Sequence, residues 1–345
     1  MTDLLNLPFD MYQRYRDVAE IVSALKDGQK LKILDVGGFP GVITDFLSHN
    51  NITVLDVYNK SDLPKERTSV NYVKGDGAKL SFDDNSFDLV CSLDTLEHVE
   101  ASKRDAFLSE LARVSKNYVI LIAPYFSENN RLAEEITYQF FLSTFKSEFQ
   151  ILKEHLDNGL PQLNEVVSYF SDSGFSKITI PSGYLYNWLP MQVAKMYVQS
   201  LNDSEKLHQL LDRFYNQNYY ESDHRNPSYR TVIVASKKKD PLDAVQKKFD
   251  NLSSAENKNF FNDFSMLLSL LNLKHQEKME AMVGELERVH IMLKEKDVHI
   301  TNLEAIIRDK EQHIRNLEEW MAKIQNATPY KVYSKVKGMG RKNNG

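Results

Sequence analysis

Leu31-Lys32-Ile33-Leu34-Asp35-Val36-Gly37-Gly38-Phe39-Pro40-Gly41 is an apolar run, an acidic residue and a glycine-bearing turn; Ile52-Thr53-Val54-Leu55-Asp56 then repeats the apolar run and the acidic residue. Two such runs with room for one helix between them are the opening of a nucleotide-binding α/β sheet. A dinucleotide fingerprint needs glycine at its first, third and sixth positions, so that the backbone can approach a pyrophosphate. Counted from Gly37, those positions hold Gly37, Phe39 and Val42, and two of the three fail. Asp35, at the end of the first strand and beside the turn, repels a diphosphate. It suits a ligand that carries an ammonium and no phosphate.

The pattern continues outward from this stretch. Pro8 to Leu25 reads as an amphipathic lead-in helix. Strands are expected at Lys32–Val36, Thr53–Val57, Val70–Lys74, Asp88–Leu93 and Tyr118–Ala123, with helices from about Val42 to Ser48 and around Arg104–Val114. Lys177–Pro181 and Arg230–Ser236 read as sixth and seventh strands. Ligands of such sheets bind beyond the carboxyl ends of the strands, and Asp35, Asp56, Asp76 and Asp94 all fall at such ends. A single aspartate there is most often a turn or helix-cap residue. Four on one rim point to a polar ligand.

Leu31 to Pro124 resembles a class I S-adenosylmethionine (SAM)-dependent methyltransferase of the broad small-molecule type. The resemblance covers about a quarter of the chain. The family's first motif, D-x-G-x-G-x-G, stands here as Asp35-Val36-Gly37-Gly38-Phe39-Pro40-Gly41, with Phe39 in place of the middle glycine. Asp56 matches the acidic residue at strand two, Gly75-Asp76-Gly77 the adenine loop, and Leu80 to Val99 the run into the helix after strand four. The resemblance implies a doubly wound, seven-stranded Rossmann-like sheet, the last strand antiparallel, and SAM as cofactor. It places Asp35 near the methionine ammonium and Gly37, Gly38 and Gly41 along the amino-acid arm. Asp56 falls on the ribose diol, Asp76 and Gly77 on adenine, and Leu93 and Asp94 under the methionine arm.

Methyl transfer to a hydroxyl needs a positioned acceptor and a group that takes its proton. His155, in Glu154-His155-Leu156-Asp157-Asn158-Gly159-Leu160-Pro161, is the first candidate base; His98 is the second, with a packing role as its plainer reading. His224 and Arg225 are a further pair that could act as a base or hold an anionic acceptor. No metal-ligand spacing stands out, and no metal is expected. The aromatic-rich stretch Tyr184–Tyr220 reads as the core of a helical lid or as a platform for a sugar ring.

The 345-residue chain has 42% hydrophobic residues, enough for a sizeable core, and a net charge of -5 that gives no drive toward nucleic acid. Its one cysteine, Cys91, sits in an apolar run and excludes both an intrachain disulfide and a cysteine zinc cluster. No signal segment or membrane-length apolar run is evident, so the expected location is the cytosol, with contact to the membrane face possible through the tail described below. A mean hydropathy of -0.46 points to a polar segment outside the core.

That segment is C-terminal. Met279, Leu286, Leu293, Ile300, Ile307, Ile314 and Met321 recur in sevens; three residues after each come Met282, Val289, Lys296, Leu303, Lys310, Leu317 and Ile324, five of them apolar. This a/d repeat predicts a coiled coil that makes a homodimer or another oligomer, with branched a positions favouring two parallel strands. The alternative is one long helix packed on its own domain. Beyond it, Thr328–Lys342 carries five basic and no acidic residues, a tail fit for an anionic membrane surface or for plain solvation. The expected domains are a methyltransferase domain over 1–240 with helical insertions at about 125–175 and 184–226, a linker and helix over 241–278, the coil over 279–326 and the basic tail over 327–345.

A methyltransferase domain followed by a coil, together with the Glu154–Pro161 segment, resembles bacterial enzymes that modify cell-surface polysaccharides. That implies O-methylation of a sugar or glycan. Another small-molecule acceptor, or an inactive SAM-binding scaffold, are the alternatives; a dehydrogenase is disfavoured by the missing glycines.

Overall fold

The computed structural model describes residues 3–25, 29–201, 205–238, 240–253, 260–265, 276–326, 332 and 335, with side chains of the C-terminal helix described over 288–324. Two units are present, Met1–Phe261 and Asn262–Gly345.

The first unit opens with α1 (Phe9–Leu25) and continues through β1 (Lys32–Val36), α2 (Ile43–Phe46), β2 (Asn51–Asp56), β3 (Asn71–Lys74), β4 (Phe87–Leu93), α3 (Arg104–Val114) and β5 (Ser115–Pro124). Then come α4 (Glu128–Phe145), α5 (Gln150–Asn158), α6 (Leu163–Asp172), β6 (Ser176–Tyr184), α7 (Leu185–Gln199), α8 (Glu205–Asn218), β7 (Ser228–Ser236) and α9 (Asp240–Ser253). The sheet has seven strands in the order β3-β2-β1-β4-β5-β7-β6. β1 to β5 pair in parallel, and β7 lies antiparallel between β5 and β6. Strand order reverses between β1 and β4, which opens a crevice at their carboxyl ends.

Side-chain alternation divides the core between the two faces. Ile33, Val54, Leu89, Cys91, Ile120, Ile122, Val232 and Val234 pack with Val18, Ile21 and Val22 of α1 and Leu242, Val245 and Phe249 of α9. Leu34, Val36, Val90, Val119, Leu121 and Ile233 pack with Phe107 and Leu111 of α3 and Val166 and Phe170 of α6. The parity of β1 therefore turns Asp35 toward the α1 face, in register with Cys91 of β4.

Several strand ends shift by one to three residues from the sequence reading, and three further differences bear on the architecture. α2 is one turn long rather than spanning Val42–Ser48. β6 runs past Pro181 to Tyr184, because it is an edge strand and proline's missing N–H costs a sheet edge little. The first unit extends past the expected boundary at 240: Asp240 to Ser253 is not a linker but a helix whose Leu242, Val245 and Phe249 are buried in the core.

In the second unit, α10 (Gln276–Asn326) is one helix of 51 residues, about 75 Å long. The tail over 327–345 lies outside the described residues except for Val332 and Lys335. Among the described residues no helix is long and apolar enough to cross a membrane.

Candidate functional site

The turn after β1 sits at the switch point, and its glycines are set there by space. Gly37 and Gly41 adopt φ of +77° and +89°, a region that L side chains avoid. A Cβ on Gly38 would stand 2.1 Å from Asp35 Oδ2, and one on Gly37 would stand 2.2 Å from Thr95 Oγ1. Phe39 is not among the positive-φ residues, which is why the middle glycine of the motif is dispensable here. Its N–H donates to Asp56 Oδ2 at 3.0 Å, and its ring packs against Tyr58 with centroids 5.0 Å apart.

Asp35 has no solvent exposure, and its Oδ2 has no hydrogen-bond partner. Burial pushes its carboxyl up to about 7, with the Cys91 thiol, 3.6 Å from Oδ1, a partial offset. Asp56 is half-buried, and its two oxygens accept the N–H groups of Phe39 and Val57, at 3.0 and 2.7 Å. These bonds aim the carboxylate and leave lone pairs for a ligand. Asp76 is exposed and accepts the N–H of Ala78 at 2.9 Å. A Cβ on Gly77 would stand 2.4 Å from the Phe107 ring, so that glycine serves packing against α3. Leu93 is buried at the end of β4.

Asp94 has a different setting from its neighbours on the rim. Its carboxylate receives Arg230 Nε at 2.7 and 2.9 Å, Arg230 Nη2 at 2.6 Å and Arg14 Nη1 at 2.5 Å. Burial works to raise its pKa, but Arg230 and Arg14 outweigh it and hold it at about 2. The carboxylate thus fixes two cations, one from α1 and one from β7, beside the crevice. Nothing local in the sequence marks Arg14 or Arg230, which lie 80 and 136 residues from Asp94.

The two candidate histidines come together. His98, on a short 3₁₀ turn at Leu96–His98 after β4, and His155, on α5, place their Nε2 atoms 3.3 Å apart. His98 Nδ1 lies 3.0 Å from Glu154 Oε2, and His155 Nδ1 lies 2.8 Å from Glu134 Oε1 of α4. Glu134 also accepts the Tyr229 hydroxyl at 2.9 Å, and Tyr229 stacks on Trp188 with centroids 3.7 Å apart. Burial, reinforced by His155, lowers the pKa of His98. Glu97, beside them, is buried, and burial together with the Asp94 charge pushes its carboxyl well up. No sequence pattern singles out Glu97, Glu134 or Tyr229.

His224 and Arg225 do not join this group. His224 is buried with Nε2 at 2.8 Å from Asp17 Oδ1, in a network with Tyr220 and Ser182 on the α1 side. Arg225 stands over the Tyr184 ring at 5.9 Å. Of the aromatic stretch, Trp188, Tyr215, Tyr219 and Tyr220 are buried core residues rather than an open platform, while Tyr186 is exposed.

Residues 34–123 match the model of a family described as a methyltransferase domain. The match covers about a quarter of the chain. Many solved structures are similar to the chain, among them these three. Magnesium protoporphyrin IX methyltransferase from Synechocystis, with bound S-adenosylhomocysteine (SAH), is 13% identical with a TM-score of 0.42, the match covering 66% of this chain and 84% of that one. An O-methyltransferase family protein from Burkholderia thailandensis is 10% identical with a TM-score of 0.41, over 66% and 56% of the two chains. A protein from Bacillus halodurans, provisionally assigned as a methyltransferase, is 16% identical with a TM-score of 0.39, over 65% and 100%. No curated protein matches the chain.

The residues around the turn after β1 fit SAM. Asp35 Oδ2 is a buried acceptor without a donor, and the Gly37–Gly38 backbone runs where any side chain would collide. Buried Arg230 and partly buried Arg14 add cationic donors, with Arg14 Nε and Arg230 Nη1 unbonded.

Proposed function

We propose that the chain is a class I SAM-dependent methyltransferase that methylates a hydroxyl of a sugar or glycan. The observation that carries the reading is Asp35, a buried carboxyl with an unpartnered oxygen under a glycine turn at the switch point. When bound, SAM supplies a methyl group on a sulfonium, already activated for in-line displacement. Asp35 holds the ammonium of the amino-acid arm, and Arg14, close enough to Asp35 to oppose the rise in its pKa, supplies the cation for the carboxylate. Asp56 accepts from the ribose diol and Asp76 from the adenine amino group. His98 and His155 form the acceptor-activating pair, each oriented through Nδ1 by its own carboxylate. Leu93 lines the floor of the methionine arm, while Asp94 acts through the arginines it fixes. The glycan class rests on the likeness of the Glu154–Pro161 segment.

Calorimetric titration of SAM and SAH into the full chain tests the cofactor. Binding is expected in the wild type, and Asp56→Ala removes two charge-assisted bonds to the ribose, which weakens it by at least about 100-fold. A folded wild type that takes up neither ligand would sink the enzyme reading. With the cofactor established, sugar and glycan acceptors are screened for SAH release.

The same reading makes α10 a coiled-coil helix that dimerises the protein, with the basic tail over 327–345 as a weak contact to an anionic membrane surface at the cytosolic face. Leu293, Ile300, Leu303, Ile307, Ile314, Leu317 and Met321, all a or d positions, are exposed on the single chain, a stripe that a partner helix would cover. Ile300→Lys with Ile307→Lys is expected to convert a dimer into a monomer in sedimentation equilibrium, with SAH affinity unchanged. A wild type that sediments as a monomer at micromolar concentration would refute the coil.

A further inference from the structure

We infer that Glu97, His98 and His155 bind one zinc ion at the acceptor side of the site. One ligand atom from each lies within 4.8 Å of the others. The argument starts from tautomers. A carboxylate accepts only, so Glu154 and Glu134 each require an N–H at the Nδ1 they face, 3.0 and 2.8 Å away. A neutral imidazole with its proton on Nδ1 carries a lone pair on Nε2. Both histidines then aim lone pairs at each other across 3.3 Å, which is repulsive unless a cation lies between them.

The separation discriminates among cations. Two imidazole nitrogens on tetrahedral zinc, at about 2.0–2.1 Å each, stand about 3.3–3.4 Å apart. The alternative is a single proton shared by the pair. Glu97 favours the metal: it is 1% exposed and its Oε2 has no hydrogen-bond partner, so the histidine pair has beside it a buried carboxyl with an unpartnered oxygen, which a cation would hold in its ionised form. Two histidines and one carboxylate, with a fourth position open, is a donor set of catalytic zinc. Each histidine is backed by a carboxylate on its far nitrogen, the arrangement that fixes ring orientation and raises ligand basicity at metal centres. Glu134 is itself held by Tyr229 at 2.9 Å. His98, with 29% of its side chain exposed, leaves a way in for the ion and for an acceptor.

The role of the ion, though not its binding, rests on the methyltransferase reading. An acceptor hydroxyl in the fourth position is more acidic when metal-bound; its proton leaves to water, and the alkoxide oxygen is held for methylation.

The test uses the full chain, stripped with a chelator and titrated with Zn²⁺ alone by calorimetry, with metal content measured after gel filtration and SAH affinity measured on the same samples. The expected result is one zinc per chain, lost in His98→Ala and weakened about 10- to 100-fold in Glu134→Gln, while Asp56→Ala keeps the zinc and loses SAH. His98 is chosen because it is the more exposed of the pair, and an unchanged circular dichroism spectrum confirms the fold of each variant. A wild type that binds SAH but no zinc, or whose zinc is unaffected by His98→Ala, overturns the site and leaves a shared proton or adventitious binding elsewhere. Zinc bound by Glu97, His98 and His155 in a chain that takes up no SAH sustains the site and removes the methyltransferase reading.

Discussion

SAH affinity is expected to fall about tenfold for each pH unit between pH 7 and pH 5. The cause is Asp35. Its carboxyl is fully buried, and burial pushes its pKa up to about 7. A ligand ammonium needs the carboxylate, so below pH 7 binding must first expel a proton, and proton linkage sets a slope of one in log Kd against pH. Folding responds to the same group in the opposite sense. A carboxyl whose folded pKa lies above its unfolded value of 3.8 stabilises the ligand-free fold below that value, and this contribution fades as pH rises through 7. The ligand site is therefore most competent where the unliganded fold is weakened. Asp35→Asn separates the two effects. It keeps the shape, removes the titration and loses a charge-assisted bond, so SAH binds about 10- to 100-fold more weakly and without the slope, while the variant gains stability relative to the wild type above pH 7. Calorimetric titrations at several pH values and urea midpoints read both. A wild-type affinity flat from pH 5 to pH 7 would remove Asp35 from the ammonium site.

The frame of the fold was legible because it is written in local periodicity. Apolar runs ended by aspartates placed β1, β2 and β4, and the a/d heptads marked the C-terminal helix. Boundaries failed where tertiary context decided: α9 reads as charged linker until the sheet face that buries Phe249 is in view, and Pro181 ends a strand only if that strand is central. The turn after β1 was legible too, since the settings of Gly37, Gly41 and Asp56 depend on the backbone next to them. The histidine cluster was half legible. His98 and His155 could be named as chemistry-bearing residues, but nothing in the sequence said that they meet, because the meeting depends on α5 folding back over the end of β4. Glu134 and Arg230 were invisible for the same reason. Buried pairs separated by 21 and 136 residues leave no short-range pattern. The setting of His224 could not be read from the sequence either, because its partner is Asp17, 207 residues away on α1.

That last pairing carries the largest stability effect expected in the molecule. Asp17 has no exposure; its Oδ1 accepts the Tyr220 hydroxyl and His224 Nε2, both at 2.8 Å, and its Oδ2 accepts the Ser182 hydroxyl at 2.6 Å. One carboxylate thus ties α1 to the turn ahead of β7 and to the end of β6. Asp17→Ala leaves three buried donors without an acceptor, and breaking a buried charged pair from one side costs about 3–5 kcal/mol, a large share of a typical stability of about 5–15 kcal/mol. For a domain of this size the melting temperature is expected to drop by roughly 10 °C or more. Titration supplies the specific signature. Burial works to lower the pKa of His224, but Asp17 outweighs it and the net shift is upward; burial pushes the neighbouring Asp223 up to about 7. Both groups hold their protons more tightly when folded, so their stabilisation is present at low pH and lost as pH rises, through about 7 for Asp223 and above 6.5 for His224. The wild-type urea midpoint should accordingly fall between pH 5 and pH 8. In Asp17→Asn, which preserves volume but no longer favours the imidazolium, the part of that fall lying above pH 6.5 should shrink. A variant as stable as the wild type, or a slope unchanged by Asp17→Asn, would show that the fold does not depend on this ion pair and that α1 is held by its apolar face alone.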